Sequence, residues 1–140
     1  MALEVLEGLT STPKRISSKY FYDAEGSRIF QQIMGMPEYY LTETEAEIFE
    51  TYKGVLATLF SRGCSSFDLV ELGAGDGTKT QILIAELLRK RVDFRYIPID
   101  ISEDAVLQLA GAMKQRFPAL KLESRIGDYF PMIEHLSREY

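Results

Sequence analysis

The second half of the chain alternates between short apolar runs and longer segments with helical spacing. Runs of this length are typical of buried strands, and the segments between them are typical of amphipathic helices. The predicted strands cover residues 67–72, 94–99 and 119–125, and the predicted helices cover residues 78–91, 103–116 and 132–138. Strands that alternate with helices form parallel sheets with right-handed crossovers. The pattern therefore predicts an α/β fold.

The first third of the chain has a different pattern. Residues 1–19 are polar and predict an arm, whereas residues 23–34 carry apolar side chains at helical spacing. A longer helix is predicted over 42–62, where the apolar stripe is wide. Its start is predicted by Thr42 followed three residues later by Glu45, which is the pattern of a capping box. The sheet is therefore expected to be preceded by N-terminal helices.

A glycine-rich loop joins the first predicted strand to the helix after it. Gly73, Gly75 and Gly77 alternate there, and glycine supplies positive φ and lets a ligand reach the backbone. The dinucleotide fingerprint needs a glycine where Thr78 stands, and a P-loop needs one directly before its lysine. Neither phosphate-binding pattern fits. The remaining pattern, E-L-G-x-G-x-G, resembles the first motif of class I methyltransferases that use S-adenosylmethionine (SAM), with a ligand-free turn as the alternative.

A carboxylate, Asp100, ends the second predicted strand. An acid at this position holds the ribose hydroxyls of nucleoside cofactors, and an ionised carboxylate can accept two hydrogen bonds from a cis-diol. The alternative is that Asp100 or Ser102 caps the next helix. Both interpretations hold if Ser102 is the cap, because Asp100 is then left for the ribose.

A further acid and an aromatic residue follow the third predicted strand, in the segment Gly127-Asp128-Tyr129. The carboxylate can accept from the exocyclic amine of an adenine, and the ring of Tyr129 can cover a face of the base. Taken alone, a Gly-Asp turn that closes the strand is an equal alternative. The glycine loop, the ribose acid and the adenine acid follow three strands in order, which favours one joint cofactor site.

Composition narrows the class of protein. The chain has 140 residues, which is one domain's worth, and its net charge of −5 gives no reason to expect a nucleic-acid or anionic-membrane partner. One cysteine, Cys64, excludes an internal disulfide and fits a reducing compartment, so we expect a cytoplasmic protein. One cysteine with one histidine, His135, gives no basis for a structural zinc site, and no metal is expected. No apolar run reaches membrane-spanning length, and no secretory signal is evident.

A longer resemblance begins near residue 12 and covers nearly all of the rest of the chain. The segment 13–50 contains Tyr-Asp, Gly-Ser, Pro-Glu-Tyr-Tyr and Thr-Glu at the spacing of one family, and the glycine loop continues the match. It resembles the N-terminal part of the histidine-specific, SAM-dependent methyltransferases of ergothioneine biosynthesis. The resemblance implies a partial Rossmann-like class I methyltransferase fold. Residues 1–65 would form an N-terminal arm and helical segment, and residues 66–140 a truncated SAM-binding domain.

The resemblance also implies roles for individual residues. Tyr39 would contact the amino-acid substrate, and Tyr22 would lie near its amine. Without the resemblance, Tyr39 is predicted to be an aromatic residue of the core or of its rim. Lys79 lies in the first turn of a helix, where a cation costs about 0.3–1 kcal/mol, unless it pairs with the methionine carboxylate. A solvated lysine is the alternative. With the loop glycines, the expected SAM contacts are Gly73, Gly75, Gly77, Lys79, Asp100, Asp128 and Tyr129.

Length separates this chain from the family it resembles, because family members are considerably longer. The resemblance implies the N-terminal piece of an enzyme that methylates the α-amine of histidine or a similar amino acid. The piece alone is expected to be inactive. The competing hypothesis is a non-catalytic SAM-binding or self-associating module. With the expected strand order 3-2-1, strand 67–72 would be an open edge that pairs with a second copy of the chain. Another aromatic amino acid remains open as the acceptor.

Overall fold

The computed structural model describes residues 2–139. The first part consists of helix α1 (Ala2–Thr10), a 3₁₀ helix (Ser18–Phe21), α2 (Ala24–Met34) and α3 (Leu41–Phe60). The second part runs through β1 (Phe67–Leu72), α4 (Thr80–Arg89), β2 (Phe94–Asp100), α5 (Glu103–Arg116), β3 (Lys121–Leu122), β4 (Arg125–Ile126) and α6 (Tyr129–Arg138). The predicted partial Rossmann-like α/β fold, preceded by N-terminal helices, is confirmed.

The sheet is parallel, and β2 lies at its centre. β1 pairs with β2 along its whole length, and β3 and β4 pair with the other side of β2, which gives the predicted order. The single strand predicted over 119–125 is wrong in detail, because Glu123 and Ser124 leave the ladder. Tyr96 is opposite Leu122 and Ile99 is opposite Arg125, so the register is the same on both sides of the gap.

The core covers both faces of β2. Phe94 and Tyr96 face one cluster, and Ile97 and Ile99 face the other. The first cluster is completed mainly by Ala57, Leu83, Ile84, Leu87, Leu109 and Met113, and the second by Leu136 and Met132. A strand covered on both faces must be apolar at consecutive positions, which explains the continuous apolar run in the sequence. Each fully buried large side chain contributes about 1.5–3 kcal/mol.

Helix α3 packs along α4 and begins earlier than the sequence pattern predicts. The backbone of Tyr40 is already helical, with φ −62° and ψ −14°, and its carbonyl accepts from the Thr44 N–H at 3.0 Å. Thr42 therefore lies inside the helix, and the predicted capping box is wrong. Lys90 Nζ donates to the Gly54 carbonyl at 2.8 Å and so joins α4 to α3.

Residues 2–10 form a helix where the sequence analysis predicted an arm. Leu3, Leu6 and Leu9 recur at helical spacing, although all three side chains are exposed, so the prediction of a polar arm is wrong for these residues. Gly8 is buried against the chain that follows, because its carbonyl accepts from the Arg15 N–H at 3.0 Å. A Cβ at Gly8 would lie 2.2 Å from the Arg15 carbonyl oxygen. This close backbone contact holds α1 against the segment that leads to the 3₁₀ helix.

The two predicted parts of the chain meet between α3 and β1. The proposed boundary at residues 65 and 66 falls in this connection and stays a prediction. Ala57 of the first part is fully buried in the core of the second, so α3 contributes to the same hydrophobic cluster as the sheet. Among the helices of residues 2–139, none combines the length and the apolar character needed to cross a membrane.

Candidate functional site

A cavity of about 400 Å³ lies at the carboxyl ends of β1 and β2. Its walls come from the glycine loop, the end of β2, α2, α5 and the first residue of α6. Seven of the nine residues predicted for the site line this cavity: Tyr22, Gly73, Gly75, Gly77, Lys79, Asp100 and Tyr129. Asp128 lines an adjoining cavity of about 570 Å³, and Tyr39 is not among the residues that line either one.

The three loop glycines share positive φ, at 69°, 53° and 65°, but their surroundings differ. A Cβ at Gly75 would meet nothing within 4 Å, so this position opens into the cavity. A Cβ at Gly73 would lie 2.5 Å from the Tyr129 hydroxyl. A Cβ at Gly77 would lie 2.3 Å from Leu109 Cδ1 of α5. The single purpose that the sequence analysis gave to all three therefore needs correction, since the space beside Gly77 is taken by core packing.

Asp100 connects the end of β2 to the glycine loop. Its Oδ2 accepts from the Gly75 N–H at 3.1 Å, and its Oδ1 accepts from the Ser102 N–H at 3.0 Å. Ser102 Oγ accepts from the Ala105 N–H at 3.3 Å, which confirms Ser102 as the cap of α5. Because each carboxylate oxygen can accept more than one hydrogen bond, Asp100 retains capacity for a ligand diol.

Lys79 lines the cavity and forms an ion pair with Glu45 of α3. Both side chains are partly exposed, at 36% and 50%. This partner was not foreseen, because the sequence analysis weighed only a ligand carboxylate against a solvated lysine. A pair of this exposure contributes about 0–1 kcal/mol, so a ligand carboxylate can exchange with Glu45 at little cost.

Glu71 is a cavity residue that the sequence analysis did not assign, although it belongs to the quoted E-L-G-x-G-x-G motif. Its carboxylate accepts from Thr80 Oγ1 at 2.5 Å and from the Tyr96 hydroxyl. Burial raises the pKa of Glu71, and burial followed by the Glu71 charge raises the pKa of Tyr96. The network joins β1, β2 and the start of α4 directly beneath the glycine loop.

One face of α2 forms a wall of the cavity that sequence reasoning missed. Its side chains have helical spacing, which is the signal that could have identified them: Ser27, Phe30, Gln31 and Met34. Phe30 packs edge-to-face against Tyr22, with ring centroids 6.1 Å apart, and against Tyr39, with centroids 6.0 Å apart. Tyr22 therefore reaches the cavity directly, whereas Tyr39 supports its wall through Phe30.

Asp128 and Tyr129 lie where the two cavities meet. Tyr129 lines both, and partial burial raises the pKa of its hydroxyl. Asp128 is the residue before α6, but its side chain makes no capping hydrogen bond. Its Oδ2 lies 3.4 Å from Lys19 Nζ instead. The acid and the aromatic ring are thus brought to the same end of the site, as their order in the sequence predicts.

Comparisons with known proteins agree with this geometry. The family described as histidine-specific methyltransferase, SAM-dependent, matches residues 1–140. The chain is 37% identical over 140 residues to a histidine N-alpha-methyltransferase of Mycolicibacterium smegmatis, a match that covers 96% of this chain and 40% of the relative. It is 34% identical to the enzyme of the same name from Mycobacterium tuberculosis, with the same two coverages. It is 27% identical to ergothioneine biosynthesis protein 1 of Schizosaccharomyces pombe, covering 98% of this chain and 19% of that relative.

Proposed function

The chain belongs to the family of histidine-specific, SAM-dependent methyltransferases, and on that basis we propose that its cavity is the SAM site of an enzyme that methylates the α-amine of histidine. The chain spans 40% of the length of the two mycobacterial relatives. The acceptor and the activity of the whole protein are therefore part of the proposal. The name of the Schizosaccharomyces pombe relative supports a place in ergothioneine biosynthesis.

The observation that carries the proposal is the convergence of Gly75, Lys79 and Asp100 on one cavity at the carboxyl end of the sheet. We assign the ribose to Asp100 and the methionine carboxylate to Lys79, which exchanges Glu45 for the ligand. The open space beside Gly75 allows the cofactor to approach the loop backbone. The donors and acceptors present fit an uncharged ribose and an amino-acid head group better than a pyrophosphate.

The adenine is assigned to the junction of the two cavities, beside Asp128 and Tyr129. The Asp128 carboxylate can accept from the exocyclic amine, and the Tyr129 ring can cover one face of the base. Gly73 fits the same assignment, because it leaves room for the Tyr129 hydroxyl next to the loop. We assign the predicted cofactor contact of Gly77 to its backbone. Gly77 lines the cavity, whereas the direction that a Cβ would take from it leads to α5.

The bound cofactor supplies an electrophilic methyl group, so the protein has to align the acceptor amine more than to move protons. We assign this alignment to Tyr22, whose hydroxyl can hydrogen-bond to the amine at the rim of both cavities. An ammonium has no lone pair, so the amine must be uncharged, and exclusion of water favours that form. Tyr39 holds Phe30 in the cavity wall and thereby positions Tyr22 and the substrate.

The alternative function is a SAM-binding or self-associating module without catalysis. The open edge of β1 favours it, because β1 pairs with β2 alone among the described strands. A cytoplasmic location, which rests on the single cysteine, belongs to the proposal as well. Turnover distinguishes the functions: radiolabelled SAM and histidine should give no methylated histidine with this chain alone and should give it with the full-length protein.

The binding proposal is tested by isothermal titration of S-adenosylhomocysteine into the parent chain and two variants. Asp100→Ala should weaken binding about tenfold to a hundredfold, because the ribose loses hydrogen bonds worth about 1.5–3 kcal/mol. Asp93→Ala is the control, since Asp93 precedes β2 at the opposite end of the sheet and pairs with Lys121. No binding by the parent chain, or equal binding by Asp100→Ala, would contradict the proposed site.

A further inference from the structure

The cavity that adjoins the SAM site carries an ion-pair network that includes the N-terminal segment. Glu4, Lys19 and Asp128 are among the residues that line it. We propose that Lys19 is a positioning residue for base recognition, which holds the Asp128 carboxylate toward the ligand and is itself anchored by Glu4 of α1. This inference rests on the proposed function, because it assigns a new element to the same SAM site.

The contacts form a chain from α1 to the start of α6. Lys19 Nζ lies 2.9 Å from Glu4 Oε2 and 3.4 Å from Asp128 Oδ2. The Tyr20 hydroxyl donates to the same Glu4 oxygen at 2.7 Å. The side chains of Lys19, Glu4 and Asp128 are 31%, 46% and 40% exposed. Glu4 therefore restrains two neighbouring residues of the 3₁₀ helix, and Lys19 transmits that restraint to Asp128.

Asp128 needs such a restraint because its own helix does not provide one. A residue directly before a helix commonly bonds its side chain to a backbone N–H of the first turn, but Asp128 makes no such bond. Lys19 approaches Oδ2, so a ligand donor can reach the carboxylate through Oδ1. We therefore assign Oδ2 to Lys19 and Oδ1 to the ligand donor.

The chemical consequence is selection of the base. An ionised carboxylate only accepts hydrogen bonds, so it favours a base that presents an amino group at this edge. A base with a carbonyl oxygen at the same position places two acceptors against each other. Discrimination between the two depends on a carboxylate held at a fixed position, and a loosely held one can turn away from the carbonyl. Lys19 is therefore expected to affect selectivity more than a purely structural residue would.

The test is titration of two ligands into the parent chain and into Lys19→Met, which keeps the apolar stem and removes the charge. The ligands are S-adenosylhomocysteine and S-inosylhomocysteine, which differ by an amino group and a carbonyl oxygen on the base. Lys19→Met should weaken S-adenosylhomocysteine about fivefold and reduce the preference for it over S-inosylhomocysteine by a similar factor. Lys19→Arg should bind S-adenosylhomocysteine with the parent affinity and the parent preference, because it keeps the charge.

The control is Arg28→Met, which removes an exposed ion pair with Glu25 on α2 and should change neither value. A Lys19→Met variant that is folded by circular dichroism and keeps the parent preference would overturn the inference. Tighter binding by Lys19→Met would also overturn it, because Lys19 would then compete with the base for Asp128. A parent chain that binds neither ligand would reject the proposed function itself. If Asp100→Ala loses binding and Lys19→Met keeps it unchanged, the proposed function stands and the role of Lys19 is rejected.

Discussion

Asp100 and Glu71 are both carboxylates at strand ends, but their surroundings give them different tasks. Asp100 accepts from two backbone N–H groups and faces the cavity with lone pairs to spare. Glu71 accepts from the side chains of Thr80 and Tyr96, and burial raises its pKa. One acid is therefore suited to a ligand diol, and the other to holding the strands and helix beneath the ligand.

Glu71 should make the stability of the protein depend on pH. Its pKa in the folded state is raised by burial, so the folded protein binds this proton more tightly than the unfolded chain does. The stabilising contribution is complete below the ordinary pKa of glutamate and is lost as the pH rises through the raised pKa. Glu71→Gln removes the ionisation and can keep hydrogen bonds to both hydroxyl groups. We expect Glu71→Gln to gain stability relative to the parent as the pH rises from about 4 to 7.

Urea denaturation at a series of pH values measures this difference. Glu50→Gln is the matched control, because Glu50 pairs with Lys53 on the exposed side of α3. A constant difference in unfolding free energy between Glu71→Gln and the parent at every pH would contradict the prediction. It would mean that burial of the carboxylate costs the folded protein nothing.

Single residues also show where sequence reasoning reaches its limit. Lys79 could be placed at the cavity from its position after the glycine loop, and the structure puts it there. Its partner Glu45 could not be predicted, because nothing in the sequence says which residue of α3 faces α4. The same holds for Lys19 and Asp128, whose contact joins residues 109 positions apart.

At the scale of elements, the loop between β1 and α4 has two faces. Gly75 opens to the cavity, and Gly77 packs against Leu109 and Met113 of α5. The loop therefore opens to the cavity at one position and acts as a spacer between α4 and α5 at another. A substitution should affect binding at the first position and packing at the second.

Gly75→Val and Gly77→Val form a matched pair that separates these tasks. Both place a branched side chain at positive φ, so the backbone strain is similar. Gly77→Val also forces Leu109 and Met113 to move, and overpacking of this kind costs about 1–3 kcal/mol more. We expect Gly75→Val to remain the more stable variant by thermal denaturation while it loses S-adenosylhomocysteine binding. Normal binding by folded Gly75→Val would mean that the loop does not contact the cofactor.

The helices and strands were predicted with unequal success, and each outcome has a physical reason. The bounds of β1 and α5 follow the sequence pattern, because an apolar strand and a Ser102 cap are local signals. The prediction of an arm over residues 1–19 averaged the helical spacing of Leu3, Leu6 and Leu9 with the polar residues that follow, and so it missed helix α1. The predicted start of α3 was wrong because a turn ending at Tyr40 had already set the helical backbone.

At the scale of the whole molecule, β1 forms one of the two edges of the sheet within residues 2–139. β1 pairs with β2 on one side, and Val70 and Leu72 are 41% and 43% exposed. Helix α3 packs along α4, and its Phe60 ring meets the ring of Phe67 at the start of β1. Unpaired backbone groups on an apolar edge favour pairing with another strand. Association of two copies stays a prediction.

Sedimentation velocity at several concentrations tests the association. The parent chain should form a dimer or larger species as concentration rises, and Val70→Lys should reduce it because a charged residue protects an edge strand. Leu107→Lys is the control, since Leu107 is 60% exposed on α5 away from this edge. A compact monomer at every concentration, equal for all three proteins, would show that the edge does not pair.

The sequence by itself determined the class of fold and the set of strand ends that line the cavity, whereas the expected strand order came from the family resemblance. The class and the strand ends follow from local signals: apolar runs, helical spacing, glycines and caps, together with the geometry of parallel sheets. Only the tertiary structure decided which side chains meet there. The α2 wall, the Glu45 partner of Lys79 and the Lys19 contact with Asp128 depend on how helices pack across the sheet. Packing is set by the whole core, so no local pattern records these contacts.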